Sequence, residues 1–313
     1  DLNQKDGCDR FSASFVGGEA LSKCRRTAHL EGPGLAAELL RLVEDLTGPH
    51  RKYSVLNVTV SASEAVGLQS HIEVKAPSVL HITGVDRNDS KPTLRMDDSA
   101  GYLFHFDTGS TGFLAGLHLE RGGIWAKGTS LEVDDCEIHN VPDTAHAVIL
   151  ARDGGQLTVR SSVIQGSRAS KSVIELLGTA PGSVSVTSSS FNDNSGPTFV
   201  SQPTEGRMEL FGNEITSGSA DPVHAIFAGG AIAVTETKLF SDNILLYDTG
   251  SNVDRPDGQG FIKASPQTAQ ALCSSSSGEA GEDSTFDACK TKCRNRNSCF
   301  AIAFDFQRQT CSV

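Results

Sequence analysis

The sequence predicts an all-β protein: a right-handed parallel β-helix solenoid of about eight coils, an N-terminal capping helix and a small disulfide-rich α+β module at the C-terminus. Three observations predict it. A short apolar pattern recurs through the middle of the chain at a nearly constant step. Only one stretch has strong helical periodicity. The cysteines crowd toward the two ends. Composition agrees, with 31 Gly in 313 residues but only 2 Met, 1 Trp and 3 Tyr. Gly above the usual ~7%, with abundant Ser, Val and Ile, favours short strands and tight turns.

Residues 1–52 read as the N-terminal cap. The chain opens on Asp1-Leu2 without a charged, apolar leader, which reads as a mature or trimmed chain from which a targeting segment is gone. Cys8 and Cys24 lie close enough in sequence to staple this small segment, and that loop closure contributes roughly 3 kcal/mol in the chain-entropy picture. Gly34 to Leu46 places apolar residues at 35, 39, 42, 43 and 46 on one helical face. A solenoid end exposes strand edges and an apolar core, so this helix is expected to cap the first coil. Gly48-Pro49 ends it.

Residues 53–262 read as the β-helix. Five stretches share one pattern: Leu131-Glu-Val133-Asp-Asp-Cys136-Glu-Ile138, Leu157 to Ile164, Val184 to Phe191, Met208 to Ile215 and Ile232 to Leu239. Written Φ-x-Φ-x-x-s-x-Φ, with s mostly small or polar, it repeats at steps of 26, 27, 24 and 24 residues. A fixed period of that size marks a solenoid. The first Φ-x-Φ has the period of a half-buried strand, and a two-residue break leads into a second strand. A third apolar run follows in each step, at Val148-Ile-Leu150, Val173 to Leu176, Phe199-Val200, Ala225-Ile-Phe227 and Leu245-Leu246. No coil can bury its own apolar side, so coils must stack, ~4.8 Å apart, into one continuous core. Val133, Val159, Val186, Leu210 and Val234 are expected to form one buried column, and Ile138, Ile164, Phe191, Ile215 and Leu239 a second. Weaker copies begin at Val58, Ile82 and Leu114. The long step from 82 to 114 predicts an insertion or a shift of register.

Residues 263–313 hold Cys273, Cys289, Cys293, Cys299 and Cys311. The spacing is not a paired C-x2-C array and no His follows Cys273, which favours disulfides in an oxidising compartment over zinc. Cys289 and Cys293 fall at i, i+4 on a short helix, followed by the apolar strand Phe300-Ala-Ile-Ala-Phe-Asp-Phe306. This C-x3-C helix, Cys-led aromatic strand and closing Cys resemble the PAN/apple family over about 40 residues. The resemblance implies pairings of Cys293 with Cys299 and Cys289 with Cys311, and a module that binds proteins or carbohydrates. The repeats resemble the secreted right-handed β-helices of pectate-lyase-like and polymorphic outer-membrane-like proteins. That resemblance implies fold rather than chemistry.

A formal charge of −11 argues against nucleic acid as the main partner, because phosphate recognition needs a basic face. No window approaches the length of a membrane span. Residues 286–308 nevertheless carry Lys290, Lys292, Arg294, Arg296 and Arg308 against Asp287 and Asp305, five minus two, or +3. A basic knob on an acidic rod would dock on an anionic glycan or an acidic protein face. Lys290, Lys292, Arg294 and Arg296 are its candidate partner-binding residues.

The motif sets that resemble those of pectin-hydrolase-like and alginate-epimerase-like enzymes are not found as a set. Neighbouring residues of a strand point to opposite sides, so Asp134-Asp135 does not by itself make a two-carboxylate site. The densest polar group is His118, Glu132, Asp134, Glu137, His139 and Asp143, a candidate metal or sugar site whose simpler reading is a hydrated surface. Cys136 falls in the inward slot shared with Ser162, Ser189, Asn213 and Thr237 and is expected to be an inert buried thiol. Asn57-Val-Thr59 and Asn88-Asp-Ser90 are candidate glycosylation sites.

The expected function is therefore a structural or binding protein without catalytic residues, metal or cofactor. It would engage a protein or glycan partner, within a large assembly or on a membrane complex. The expected location is extracellular, or alternatively the lumen of an organelle such as the thylakoid. A polysaccharide lyase or hydrolase with an atypical site is the rival reading.

Overall fold

The computed structural model describes residues 25–49, 51–87, 90–97, 101–196, 198–201 and 206–216, and the strands 223–228, 231–235, 238–239, 244–248, 281–282, 303–305 and 310–312. Strand β1 (Arg25–Glu31) leads into helix α1 (Leu35–Thr47). All five apolar residues expected on one face of α1 (Leu35, Leu39, Leu42, Val43 and Leu46) are buried. Arg41 joins Glu38 and Asp45 on its solvent side. The Gly48 N–H donates to the Glu44 carbonyl at 2.7 Å and closes the last turn. Tyr53 Oη donates to the Leu42 carbonyl and Ser78 Oγ to the Leu46 carbonyl, which fastens the end of the helix to the strands that follow.

The chain then repeats a three-strand turn. The turns run β2 (Val55–Ser61), β3 (Val66–Leu68), β4 (Ile72–Val74); β5 (Val79–Gly84), β6 (Thr93–Met96), β7 (Tyr102–Phe106); β8 (Thr111–Ala115), β9 (His118–Glu120), β10 (Gly123–Lys127); and β11 (Ser130–Asp134), β12 (Glu137–His139), β13 (Ala147–Arg152). They continue through β14 (Gln156–Arg160), β15 (Val163–Gln165), β16 (Ser172–Leu177); β17 (Ser183–Thr187), β18 (Ser190–Asn192), β19 (Phe199–Ser201); and β20 (Arg207–Phe211), β21 (Glu214–Thr216), β22 (Val223–Ala228). The last are β23 (Ala231–Thr235), β24 (Lys238–Leu239) and β25 (Ile244–Asp248). Every third strand joins the same sheet, giving three parallel sheets, β1-β2-β5-β8-β11-β14-β17-β20-β23, β3 to β24 and β4 to β25. This mostly parallel, three-sheet stack is compatible with a parallel β-helix. Strands β26 (Gly281–Glu282), β27 (Ala303–Asp305) and β28 (Thr310–Ser312) form a separate antiparallel sheet.

Register follows the sequence pattern. Val133 pairs with Val159, Val159 with Val186, Val186 with Leu210, and Leu210 with Val234. Ile138, Ile164, Phe191, Ile215 and Leu239 pair in the same way. From Val133 to Leu210 and from Ile138 to Ile215, the side chains of both columns are buried. The break between the first and second strands is set by a left-handed residue, with φ 50° at Asp135, 48° at Ser161, 50° at Ser188 and 62° at Gly212. Asp and Ser tolerate this region only at a cost, and the next residue supplies compensation. The Cys136 N–H donates to Ser162 Oγ, the Ser162 N–H to Ser189 Oγ, and the Ser189 N–H to Asn213 Oδ1, at 3.1, 3.2 and 3.0 Å. In these three coils the buried N–H is thus satisfied by a side chain of the next coil.

Three features depart from the sequence pattern. Strand β1 adds to the first sheet ahead of the helix, pairing in parallel with β2, in a segment read only as cap. With just Ala28 and Leu30 as its apolar alternation, it carries little strand signal. The long step between coils is an insertion, residues 85–92, between β5 and β6. Thr93 consequently holds the outward position opposite His118. Finally, Gly112 occupies the first apolar position between Leu80 and Leu131. A Cβ there would lie 2.5 Å from the Phe106 ring and 2.7 Å from Leu131 Cδ1, so Phe106 fills the space that a Leu fills elsewhere.

Candidate functional site

The polar residues singled out from the sequence divide between faces. Glu132 and Asp134 share the outward side of β11, where Arg160 of β14 pairs with Glu132 and lies 3.9 Å from Asp134. His118 and His139 meet on the outward side of the second sheet, ring centroids 4.5 Å apart and edge to face. Thr93 Oγ1 lies 3.1 Å from His118 Nδ1. Burial, and secondarily His139, push the His118 pKa below its usual value. Glu137 stands opposite His118 in register, and Lys91 of the insertion bridges Asp135 at 3.0 Å and Glu137 at 3.3 Å. Asp143 is exposed in the turn closed by the Ala145 N–H donating to the Pro142 carbonyl. The structure therefore brings together His118, Glu137 and His139, and separately Glu132 and Asp134. Among the described residues, no group of three or more His, Cys, Asp or Glu is placed to hold a metal ion.

Cys136 is a buried free thiol whose Sγ donates to the carbonyls of Leu114 and Asp134. Burial pushes its pKa up to about 12, which removes the thiolate needed for nucleophilic attack. Asn57 is half-buried in mid-strand, between Thr27 of β1 and His81 of β5. Asn88, Cys8, Cys24, Cys289, Cys293, Cys299, Lys290, Lys292, Arg294 and Arg296 lie outside the described residues. Cys311 lies in β28, opposite Gly281 and Phe304.

A more concentrated arrangement lies on the outward side of the third sheet. Its register runs Glu73, His105, Trp125, Leu150, Glu175, Val200. The His71 and His105 rings stack with centroids 4.2 Å apart. Tyr102 meets His105 edge-on at 5.7 Å, and Trp125 lies 5.2 Å from it. Burial first, then the neighbouring His71, push the His105 pKa down to about 4, so the ring is neutral near pH 7. Tyr102 Oη accepts the His146 and Ala147 N–H groups, which fixes the turn before β13. His146 Nε2 then lies 2.9 Å from Glu175, a carboxylate only 1% exposed that also accepts from Ser172 Oγ. The result is a continuous aromatic and imidazole band, held from below by the sheet and from the side by the turn.

Sequence reasoning did not find this band because the third strand of the early coils was not recognised. The signal was present as Phe104-His105-Phe106 and Ile124-Trp125-Ala126, apolar residues two apart around an outward aromatic. Compared with protein-family models and with curated proteins, the chain matches none of them. Among the described residues, no helix is long and apolar enough to cross a membrane.

Proposed function

We propose that the protein is a non-enzymatic structural and binding protein. In this reading it is a right-handed rod of about eight coils that holds one face toward a glycan within an extracellular or lumenal assembly. The observation that supports it is the band of His71, His105, Tyr102 and Trp125 on the third sheet. The matching run of the first sheet, Glu132, Thr158, Ser185 and Glu209, is polar. Aromatic rings offer apolar surface to the C–H faces of sugars, and ring nitrogens and the Glu73 carboxylate add hydrogen-bonding groups at the margin. Packing between neighbouring rings holds them in place before binding, which lowers the entropy lost on association.

In the same reading, residues 263–313 form the PAN/apple-like module, with Cys289–Cys311 and Cys293–Cys299 bridges and the basic residues Lys290, Lys292, Arg294 and Arg296 as a second attachment point. Trp125 is the only Trp in the chain, so its fluorescence reports directly on the band. Titration with a neutral β-glucan oligosaccharide and with an oligogalacturonate should give a saturable change with one of them. Calorimetry on Trp125→Ala should show that binding lost while the far-UV circular dichroism is kept. No saturable change with either sugar rejects the glycan reading. Product analysis of the same mixtures tests the polysaccharide-cleaving alternative.

A further inference from the structure

We propose that His81, His105 and His118 form an acid-sensitive girdle that loosens the N-terminal coils of the rod while leaving the coils from β14 onward intact. The three residues lie on β5, β7 and β9, two consecutive turns of the chain, and place one imidazole on the outward side of each of the three sheets. Each is packed against a ring from a neighbouring turn. His81 lies 5.6 Å from Phe113, His105 stacks on His71 at 4.2 Å, and His118 meets His139 at 4.5 Å.

The surroundings of each ring favour the neutral form. His81 faces Asn57 of β2 and Phe113 of β8; burial, then the charge of Arg25, lower its pKa. His105 faces Glu73 of β4, with Asp107 just past the end of its own strand and His71, Tyr102 and Trp125 around the ring. Those two carboxylates favour the charged form, but Glu73 is engaged with Lys75 at 2.8 Å, and burial outweighs both. His118 faces Glu137 of β12, with Glu120 on its own strand, His139 beside it, and Lys91 and Thr93 behind; burial and His139 outweigh the carboxylates.

An imidazole held neutral in the folded state binds its proton more readily in the unfolded chain. Stability is therefore undiminished above the unfolded value of 6.5 and falls as pH drops from there toward the folded values, which for His105 means about 4. The three groups act on adjacent coils, so the loss is concentrated there.

The test compares the full chain with His81→Gln/His105→Gln/His118→Gln. The wild-type midpoint temperature should fall more steeply between pH 6.5 and 4.5 than that of the variant. Hydrogen-exchange protection, corrected for intrinsic rates, should fall about tenfold for each unit by which a pKa is lowered, in β4 to β12 only, with β14 to β20 unchanged. Equal pH slopes, or a uniform loss of protection, overturn the proposal. If the triple variant does not fold, imidazole NMR of the wild-type chain decides. His105 must titrate well below 6.5 and in step with the exchange, and a normal titration overturns the girdle.

Discussion

The coils from β11 to β21 and those from β2 to β10 share one plan but solve it differently. In the later coils the interior positions of the first two strands stay apolar, and the slot after the left-handed turn carries Cys136, Ser162, Ser189 and Asn213, a ladder in which each Ser or Asn side chain accepts from the N–H of the preceding coil. In the earlier coils that slot holds Leu117, fully buried, and the interior is filled by exchange between strands, with Phe106 occupying the volume above Gly112. The earlier coils also carry the insertion 85–92, tied across the stack by Lys91 to Asp135 and Glu137 and by Arg87 to Glu31. The difference teaches that the scaffold lets volume move between positions of one coil, whereas buried N–H groups must be answered where they stand.

The sharpest way to break the comparison is Val186→Asp. This places a charge in the middle of the first apolar column, where Val186 is fully buried. An unpaired buried carboxylate costs several kcal/mol, so circular dichroism should show a rod unfolded or melting far below wild type. Next is Asn213→Ala, which removes the acceptor of the Ser189 N–H and the donor to the Val186 carbonyl. About 1–3 kcal/mol should be lost in urea denaturation. Asn213→Ser, which restores the residue type of the two preceding coils, should lose less. If Ala and Ser behave alike, the ladder is not what stabilises the later coils.

Gly112→Leu tests the other half. It imitates the later coils but collides with Phe106, and overpacking should cost roughly 1–3 kcal/mol. Adding Phe106→Ala should be less harmful in the Gly112→Leu background than in wild type, a coupling that a double-mutant cycle measures. The smallest effect is expected from Ser188→Gly. Its φ of 50° is strained for Ser, so glycine should stabilise by less than about 1 kcal/mol once its larger unfolded-state entropy is counted. Alkylation of the native chain should leave Cys136 unlabelled, since it is buried and its thiol is held protonated.

Legibility in the sequence follows the same division. The later coils were readable because apolar residues two apart and a small residue at one fixed offset repeat at nearly constant steps, and those residues are the ones in register. The earlier coils were only half readable. Gly112 erased an apolar position whose volume Phe106 supplies from another strand, and such an exchange has no local signature. The insertion hides the register, so nothing in the sequence marks Thr93 as the residue opposite His118. Of the polar cluster, the sequence grouped His118, Glu137 and His139 with Glu132 and Asp134, although the turn at Asp135 sends the two sets to different sheets. The His71–His105–Trp125 band was missed because its members are 34 and 20 residues apart in sequence and meet only when coils are stacked.

The ladder of side chains after the left-handed turn also sets the unit in which the molecule can be edited. Every rung takes an N–H from one coil and answers it from the next, and Ser162 and Ser189 act identically in successive coils. Removing residues 162–188 would leave Ser161 followed by Ser189, the same pair of residues that Ser188 and Ser189 make now, and would bring Ser189 Oγ to the Cys136 N–H. A cut that is not a whole number of turns would leave a buried donor facing the wrong atom. The protein can thus be shortened or lengthened only in whole turns, so the distance between its two ends comes in discrete steps of one strand spacing.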